Sequence, residues 1–511
     1  MSVRLLGAIA IALMTPAMAV AQASPTRAET DAGAVSGVVE KDLLVFRGIP
    51  YAAPPVGALR WKAPQPAPHW TGVRDARSFG AACPQGPEHK EAWAQVGPQS
   101  EDCLFLNVWR PKRAGKYPVM VFLHGGGFTY GAAGVPLYDG AALAARGVVI
   151  VTMNYRLGRL GFFAHPALSR EDPDGQLGNY GIMDQVAALR WVKNNIARFG
   201  GDAGNVTLFG ESAGAGTVQV LMSSPASAGL FHKAISESGA GGSVLVPIRG
   251  GAVSAEKIGQ LWAESLGLKD ATAEQLRAIP LADVVKNGRS FPFIDGKVVV
   301  HSAGEPFFRH AEMRIPLIIG ANSNESSLGG MTEASAKALL GDAFPDLLAG
   351  YGAMTGKPPA TAAINLAEDA GFALPSFALA DRHAAIEPRT FVYYFDQVPV
   401  DLRATAAGTD HGGELEYVFG TRPVEHRWDA RDAAVSRMMG DYWVRFARTG
   451  NPNGGPKAGR APHWPAVTTV PTAYLAVGAT TRAERLAPVR ERAKATAMAA
   501  SVQKWAKTEQ P

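Results

Sequence analysis

Uninterrupted apolar runs of three to five residues alternate along this chain with stretches whose apolar positions recur every three or four residues. Residues 119–123 (Val-Met-Val-Phe-Leu) and 148–152 (Val-Val-Ile-Val-Thr) are of the first kind, typical of strands buried on both faces of a parallel sheet. Residues 184–199 are of the second kind. Val186, Ala187, Leu189, Val192, Ile196 and Phe199 share helical spacing, and Gly200-Gly201 supplies a stop. An apolar, β-prone run follows at 206–209, with further strand candidates at 317–319 and 391–395. Strand, helix and strand in this order predict an α/β fold with a large, mostly parallel sheet flanked by helices. Between the last two strand candidates, roughly over 325–390, alanine, glycine and proline abound, which reads as helical insertions of a kind that commonly cover a site. Neither repeats nor low-complexity linkers interrupt the pattern, so residues 24–511 read as one domain.

The run at 206–209 leads directly into Phe209-Gly210-Glu211-Ser212-Ala213-Gly214. Gly-x-Ser-x-Gly after a strand and before a small-residue helix start is the pattern of a nucleophile elbow, which lifts a serine oxygen to the tip of a tight turn. The flanking glycines remove Cβ atoms that would clash there. Among 57 glycines one such match carries little weight alone. A second block adds to it: His124-Gly125-Gly126-Gly127-Phe128 directly follows the strand candidate at 119–123. Three glycines let backbone N–H groups converge on one point, which is what the oxyanion of an acyl-transfer transition state requires.

Composition bounds the alternatives. The chain has 511 residues, is 47% apolar and 19% charged, and can bury a large core. Its formal charge of +5 comes from scattered residues, with no dense basic run, which argues against a nucleic-acid surface. The N-terminus reads as a signal peptide over residues 1–23. Arg4 precedes an apolar stretch at 5–14 that is too short to span a bilayer, and Ala17-Met18-Ala19 and Ala21-Gln22-Ala23 offer small-x-small cleavage sites. The mature chain is expected in the periplasm or outside the cell, with no membrane anchor. In an oxidising compartment the two cysteines, Cys83 and Cys103, are expected to pair.

Taken together, the blocks resemble the type B carboxylesterase and cholinesterase family over nearly the whole mature chain. Beyond the elbow and the glycine block, the resemblance rests on Phe46-Arg47-Gly48-Ile49-Pro50-Tyr51, Glu101-Asp102-Cys103-Leu104-Phe105-Leu106, Asn154-Tyr155-Arg156-Leu157, Gly178-Asn179-Tyr180-Gly181, Asp184-Gln185, Asp441-Tyr442-Trp443 and Gly450-Asn451-Pro452-Asn453. It implies an α/β-hydrolase fold and a secreted serine esterase working through an acyl-enzyme on a small-molecule ester, without cofactor or metal. Ser212 is then the nucleophile. Glu325, in Gly320-Ala321-Asn322-Ser323-Asn324-Glu325, takes the place of the acid. His411, in the block that ends Tyr417-Val418-Phe419-Gly420, takes that of the base. The chain order Ser, Glu, His is that of an α/β-hydrolase. Asn324 and Ser326 depart from the family, where Asp and Gly are common. The same resemblance makes Gly126, Gly127 and Ala213 the oxyanion donors and sets Ser238 and Glu414 around Glu325. His124, His301 and His310 lack ligand spacing and read as structural.

Substrate preference is less legible. Phe128 and Tyr130 are expected at the entrance, Trp93 resembles a cholinesterase wall position, and the small stretch Ala240-Gly241-Gly242-Ser243 with Leu245 suggests a roomy acyl site. An acyltransferase, or a hydrolase specialised for xenobiotic, toxin or polymer esters, would use the same machinery. A non-catalytic binding protein on this scaffold would not need the three residues. The basic stretch from Arg482 to Lys507 reads as a solvated helix. The oligomeric state is not legible.

Overall fold

A computed structural model describes residues 26–86, 95–172, 178–286, 290–422, 426–454, 461–468 and 470–508. The expected signal segment and Trp93 lie outside them.

The apolar runs pair edge to edge, as strands buried on both faces should. In chain order the strands are β1 (Arg27–Glu29), β2 (Ala34–Ser36), β3 (Val38–Glu40), β4 (Leu43–Pro50), β5 (Val73–Asp75), β6 (Phe105–Pro111), β7 (Tyr117–Leu123), β8 (Val149–Met153), β9 (Gly201–Glu211), β10 (Lys233–Glu237), β11 (Leu317–Asn322), β12 (Thr390–Phe395), β13 (Ala473–Val477) and β14 (Arg482–Arg485). Among the described residues β1, β2 and β5 make a small sheet. The rest form one eleven-stranded sheet in the order β14-β13-β12-β11-β10-β9-β7-β8-β6-β4-β3. From β8 to β13 every neighbouring pair is parallel, and antiparallel strands close both edges. This is the α/β-hydrolase architecture expected from the sequence.

Register brings four strand ends level. Leu123 pairs with Gly210, Glu211 with Glu237, and Glu237 with Gly320, so the carboxyl ends of β7, β9, β10 and β11 finish side by side. Ligands of open parallel sheets bind at this edge, because the loops that leave it converge there.

The helix Tyr180–Asn195 starts four residues before its expected start and continues as a 3₁₀ turn through Phe199. Its first turn is buried on every side, so no polar stripe marked it in the sequence. Below the strand ends, Arg156 grips Asp184 through Nε (2.8 Å) and Nη2 (2.7 Å), both side chains nearly inaccessible. Two of the sequence blocks thus serve as a clamp between the loop after β8 and this helix. Cys83 and Cys103 form a disulfide with Cα atoms 4.9 Å apart.

The basic C-terminal stretch is not the solvated helix expected. Arg482–Arg485 is an edge strand, and the helix Pro488–Thr508 buries Arg490, Lys494 and Trp505. Arg490 pairs with Asp369 at 2.7 Å and stacks over Tyr394 at 4.6 Å, while Lys494 pairs with Asp381 and Glu491. Most of the compensating acids come from a distant helical segment, so local charge gave no hint of burial.

Candidate active site

β9 ends on Glu211 and the chain turns at once: Ser212 has φ 54° and ψ −120°, and the helix Ala213–Leu221 begins at the next residue. A non-glycine residue in such a conformation costs on the order of 1–3 kcal/mol and persists only where its surroundings fix it. Here Ser212 N–H donates to Glu237 O at 2.8 Å. The helix also lies hard against β7: a Cβ on Gly214 would fall 2.0 Å from Leu123 O. The glycines of the elbow are required by close approach of helix to strand.

The loop leaving β7 lies beside this turn. Gly126 and Gly127 have φ of 93° and 58°, and among the described residues neither N–H has a hydrogen-bond acceptor. Ala213, as first residue of its helix, has an N–H with no intrahelical partner. Three free backbone donors therefore border Ser212. Thr129 and Tyr130 fold the loop back onto Gly126 O, and Gly158 N–H holds Phe128 O at 2.7 Å. His124 is buried, stacked on Tyr155 at 4.4 Å with Nδ1 on Gly125 O. Burial pulls its pKa down to about 4, so it stands neutral beneath the loop. His301 faces Glu305 at 3.6 Å, and His310 caps a short helix with φ 53°.

Glu325 lies just beyond β11, 1% exposed at its side chain. Its Oε1 accepts from Asn322 N–H (2.8 Å) and Ser238 Oγ (2.7 Å), and its Oε2 meets His411 Nδ1. His411 is held by its own N–H, which donates to Ser327 Oγ at 2.9 Å, and by an edge-on contact with Phe372 at 5.3 Å. The positions that depart from the family block knit the two loops together. Asn324 N–H donates to Thr409 O (2.9 Å), its side-chain amide to Asp410 (2.6 Å), and Ser326 Oγ to Asn324 Oδ1 (2.8 Å). Glu414 makes no direct hydrogen bond to Glu325, contrary to the expectation: Asn322 bridges them, donating its side-chain amide to Glu414 and its backbone N–H to Glu325.

Two further acids belong to the site, one of them, Glu211, at an open position of the elbow pattern, and no motif gave either a role. Glu211 Oε1 lies 3.1 Å from His411 Nε2, and Glu237 accepts from Trp443 Nε1 at 2.8 Å. Both stand at the ends of apolar strands, where a carboxylate is out of pattern, and that was the available signal. Burial and neighbouring carboxylates raise the pKa of Glu211 to about 7 and of Glu414 to about 8, and that of Glu237 well above its ordinary value. His411 feels opposing influences. Burial lowers its pKa, but the carboxylates of Glu325, Glu211 and Glu414 outweigh it and push it up to about 9. Of these carboxylates Glu325 acts most strongly on the imidazole, and it is the one that hydrogen-bonds Nδ1. Nε2, which faces the side chain of Glu211, the residue before Ser212, makes no hydrogen bond. Such bonds often close only once substrate is bound.

Ser212 opens into a cavity of about 650 Å³. Ala240 and Phe372 pack together in its wall, as do Phe128 and Phe162, and Trp262 and Leu245 also line it. Tyr130 is not in the lining, contrary to expectation: its backbone packs on Gly126, where a Cβ would lie 2.3 Å from Tyr130 O. Much of the wall comes from residues 243–303, of which the sequence marked Ser243 and Leu245 and not the rest; from the expected insertion, Phe372 reaches it.

The serine elbow, the unpaired backbone donors and the Glu–His pair on an open parallel sheet are those of serine ester hydrolases. The sequence pattern of the Carboxylesterase family matches residues 24–347 and 352–500. The chain is 38% identical over 480 residues to fumonisin B1 esterase of Sphingopyxis macrogoltabida, covering 87% of each. It is 34% identical over 472 residues to para-nitrobenzyl esterase of Bacillus subtilis, covering 86% of this chain and 91% of that protein. A solved PNB esterase structure superposes with a TM-score of 0.78 at 32% identity, over 92% of this chain and 99% of the other. The chain belongs to the carboxylesterase family and is a serine hydrolase acting on carboxylic esters.

Proposed function

We propose that Ser212, His411 and Glu325 carry out the hydrolysis through an acyl-enzyme. The observation that carries this reading is the buried Glu325–His411 pair, set with Ser212 and the free N–H groups of Gly126 and Gly127 at one edge of the sheet. A serine hydroxyl needs a base to become nucleophilic. His411 Nε2 takes the Ser212 proton as Oγ attacks the ester carbonyl. Charge that develops on the carbonyl oxygen is met by the N–H groups of Gly126, Gly127 and Ala213. His411 then gives its proton to the departing alcohol, and a water, activated in the same way, releases the acid. Glu325 holds the imidazole with its proton on Nδ1 and stabilises the imidazolium without taking the proton itself. Ser238 and Asn322 orient Glu325, and Glu414 orients Asn322.

We further propose that residues 1–23 direct export of a bacterial enzyme to the periplasm or medium and are then removed, leaving a single catalytic domain over 24–511. Within it the segment around 325–390 forms one side of the site. The test is hydrolysis of p-nitrophenyl esters from acetate to long acyl chains by the mature protein and by Ser212→Ala. Activity that vanishes in the variant supports the assignment; equal activity in both removes Ser212 from its role. A second reading, a hydrolase specialised for bulky toxin esters, is favoured by the large cavity and by similarity to the esterase named for fumonisin B1.

A further inference from the structure

Pro375 falls inside a long helical run. A proline there withholds the N–H that Gly371 O would accept, and its ring crowds that carbonyl. The regular winding gives way just before it. Helix Pro359–Glu368 passes into a π-turn over Asp369–Ala373, with Leu374 N–H bonded to Asp369 O, and the helix resumes over Leu374–Ala384. Turns of this kind are rare and often stand at functional sites. This one is pinned at Asp369 and meets the base at Phe372. Asp369 Oδ1 accepts from Arg490 Nη2 at 2.7 Å and its Oδ2 from the Tyr351 hydroxyl at 2.8 Å, with Arg490 buried on the C-terminal helix. Phe372 is buried, lines the cavity and makes its edge-on contact with the His411 ring at 5.3 Å. A second link runs through Tyr394, which packs against Phe372 and its neighbours and lies 4.6 Å beneath the Arg490 guanidinium.

The base needs such a contact. Glu325 holds His411 at Nδ1, and a ring held at one nitrogen can still swing and carry the other out of place. Glu211 stands 3.1 Å from Nε2 without a hydrogen bond to it. An aromatic ring set edge-on to the imidazole limits that swing. Small displacements of a catalytic group cost rate even when their cause lies far from the chemistry. We propose that Arg490 is a positioning residue: it fixes the π-turn through Asp369, so that Phe372 stays against His411 and keeps Nε2 where it can take the Ser212 proton. This rests on the reading of His411 as the base. The C-terminal helix, remote from the serine elbow in the chain, thereby takes part in the function of the site.

The test is a double-mutant cycle on p-nitrophenyl acetate that pairs Arg490→Met with Phe372→Leu, with active serines counted by stoichiometric reaction with diethyl p-nitrophenyl phosphate. Arg490→Met should lower kcat about 3- to 10-fold, the range of one aromatic contact, while KM stays within about twofold. Arg490→Lys, which keeps the charge, should recover part of the loss. Phe372→Leu alone should lower kcat to a similar degree. Beside it, Arg490→Met should change kcat by less than about twofold, because the contact it protects is already gone. Losses that multiply in the double variant overturn the proposal, as does a kcat per active serine indifferent to Arg490→Met, or a change confined to KM. If Arg490→Met does not fold, Tyr351→Phe removes the other bond to Asp369 and the same cycle is read with it. A drop in kcat that disappears beside Phe372→Leu supports the pin; no drop, or one that persists there, overturns it. His411→Ala reports on the base separately. Activity retained in that variant removes the underlying reading, whereas activity lost there together with multiplying losses in the cycle removes the role of Arg490 alone.

Discussion

Replacing Glu325 by Gln changes one atom, and the structure fixes which way the new side chain must face. Glu325 Oε1 accepts two donors, Asn322 N–H and Ser238 Oγ. An amide placed there keeps its carbonyl oxygen toward them, since turning the NH₂ inward would set donor against donor in a buried site. The NH₂ then faces His411 Nδ1, which has to accept. The imidazole proton moves to Nε2, the atom that must receive the Ser212 proton, and the base is blocked. Wrong-tautomer substitutions of this kind lower kcat about 10⁴-fold, equivalent to about 5 kcal/mol of barrier. The pH profile gives a second, independent reading. His411 acts as a base only when neutral, so kcat/KM climbs as pH passes its pKa, which Glu325 helps to hold above the ordinary value. Without that carboxylate the residual activity should reach its plateau at a lower pH. Initial rates on p-nitrophenyl butyrate between pH 5 and 10, for wild type, Glu325→Gln and Glu325→Asp, measure both. A Glu325→Gln enzyme within tenfold of wild type, with its rising limb unmoved, would refute the assignment.

Gly214→Ala places a Cβ 2.0 Å from Leu123 O, and neither the helix nor β7 can yield without displacing Ser212. It should cost about 1–3 kcal/mol in denaturant unfolding, with a larger loss in kcat than in KM. Glu414, with its pKa raised to about 8, holds a proton in the folded state that it loses near pH 4.5 when unfolded. The folded state binds more protons between those values, so this residue's contribution to stability falls as pH rises, by up to about 1.4 kcal/mol per unit. Glu414→Gln should raise Tm relative to wild type at pH 8.5, with the gap closing at pH 5; a constant gap would show that burial of this group is not what titrates. Ala240→Trp fills the part of the cavity beside Phe372 and should shift acyl preference on the p-nitrophenyl series toward acetate. An unchanged chain-length profile would place the acyl group elsewhere in the cavity.

Local pattern was enough for the parts of this protein whose cause is local. Buried parallel strands have to be continuously apolar, so β7, β8 and β12 could be placed within two residues of their ends. A tight strand-to-helix turn needs small neighbours, so the elbow announced itself through Gly210 and Gly214. Resemblance then supplied Glu325 and His411, two positions that periodicity alone would have left as loop residues. What the sequence could not contain was the set of distances made by register. Glu211 and Glu237 join the site because β9 and β10 end level, and Asn322 separates Glu414 from Glu325 because β11 ends beside them. Arg490 and Lys494 are buried because acids more than a hundred residues away meet them. Phe372 meets His411 in the same way, on a turn that Arg490 holds from the C-terminal helix. Strand and turn propensities act over a few residues and are written in the chain. Charge compensation, proton affinity and the shape of the cavity depend on which distant groups share one small volume, and only the folded arrangement decides that.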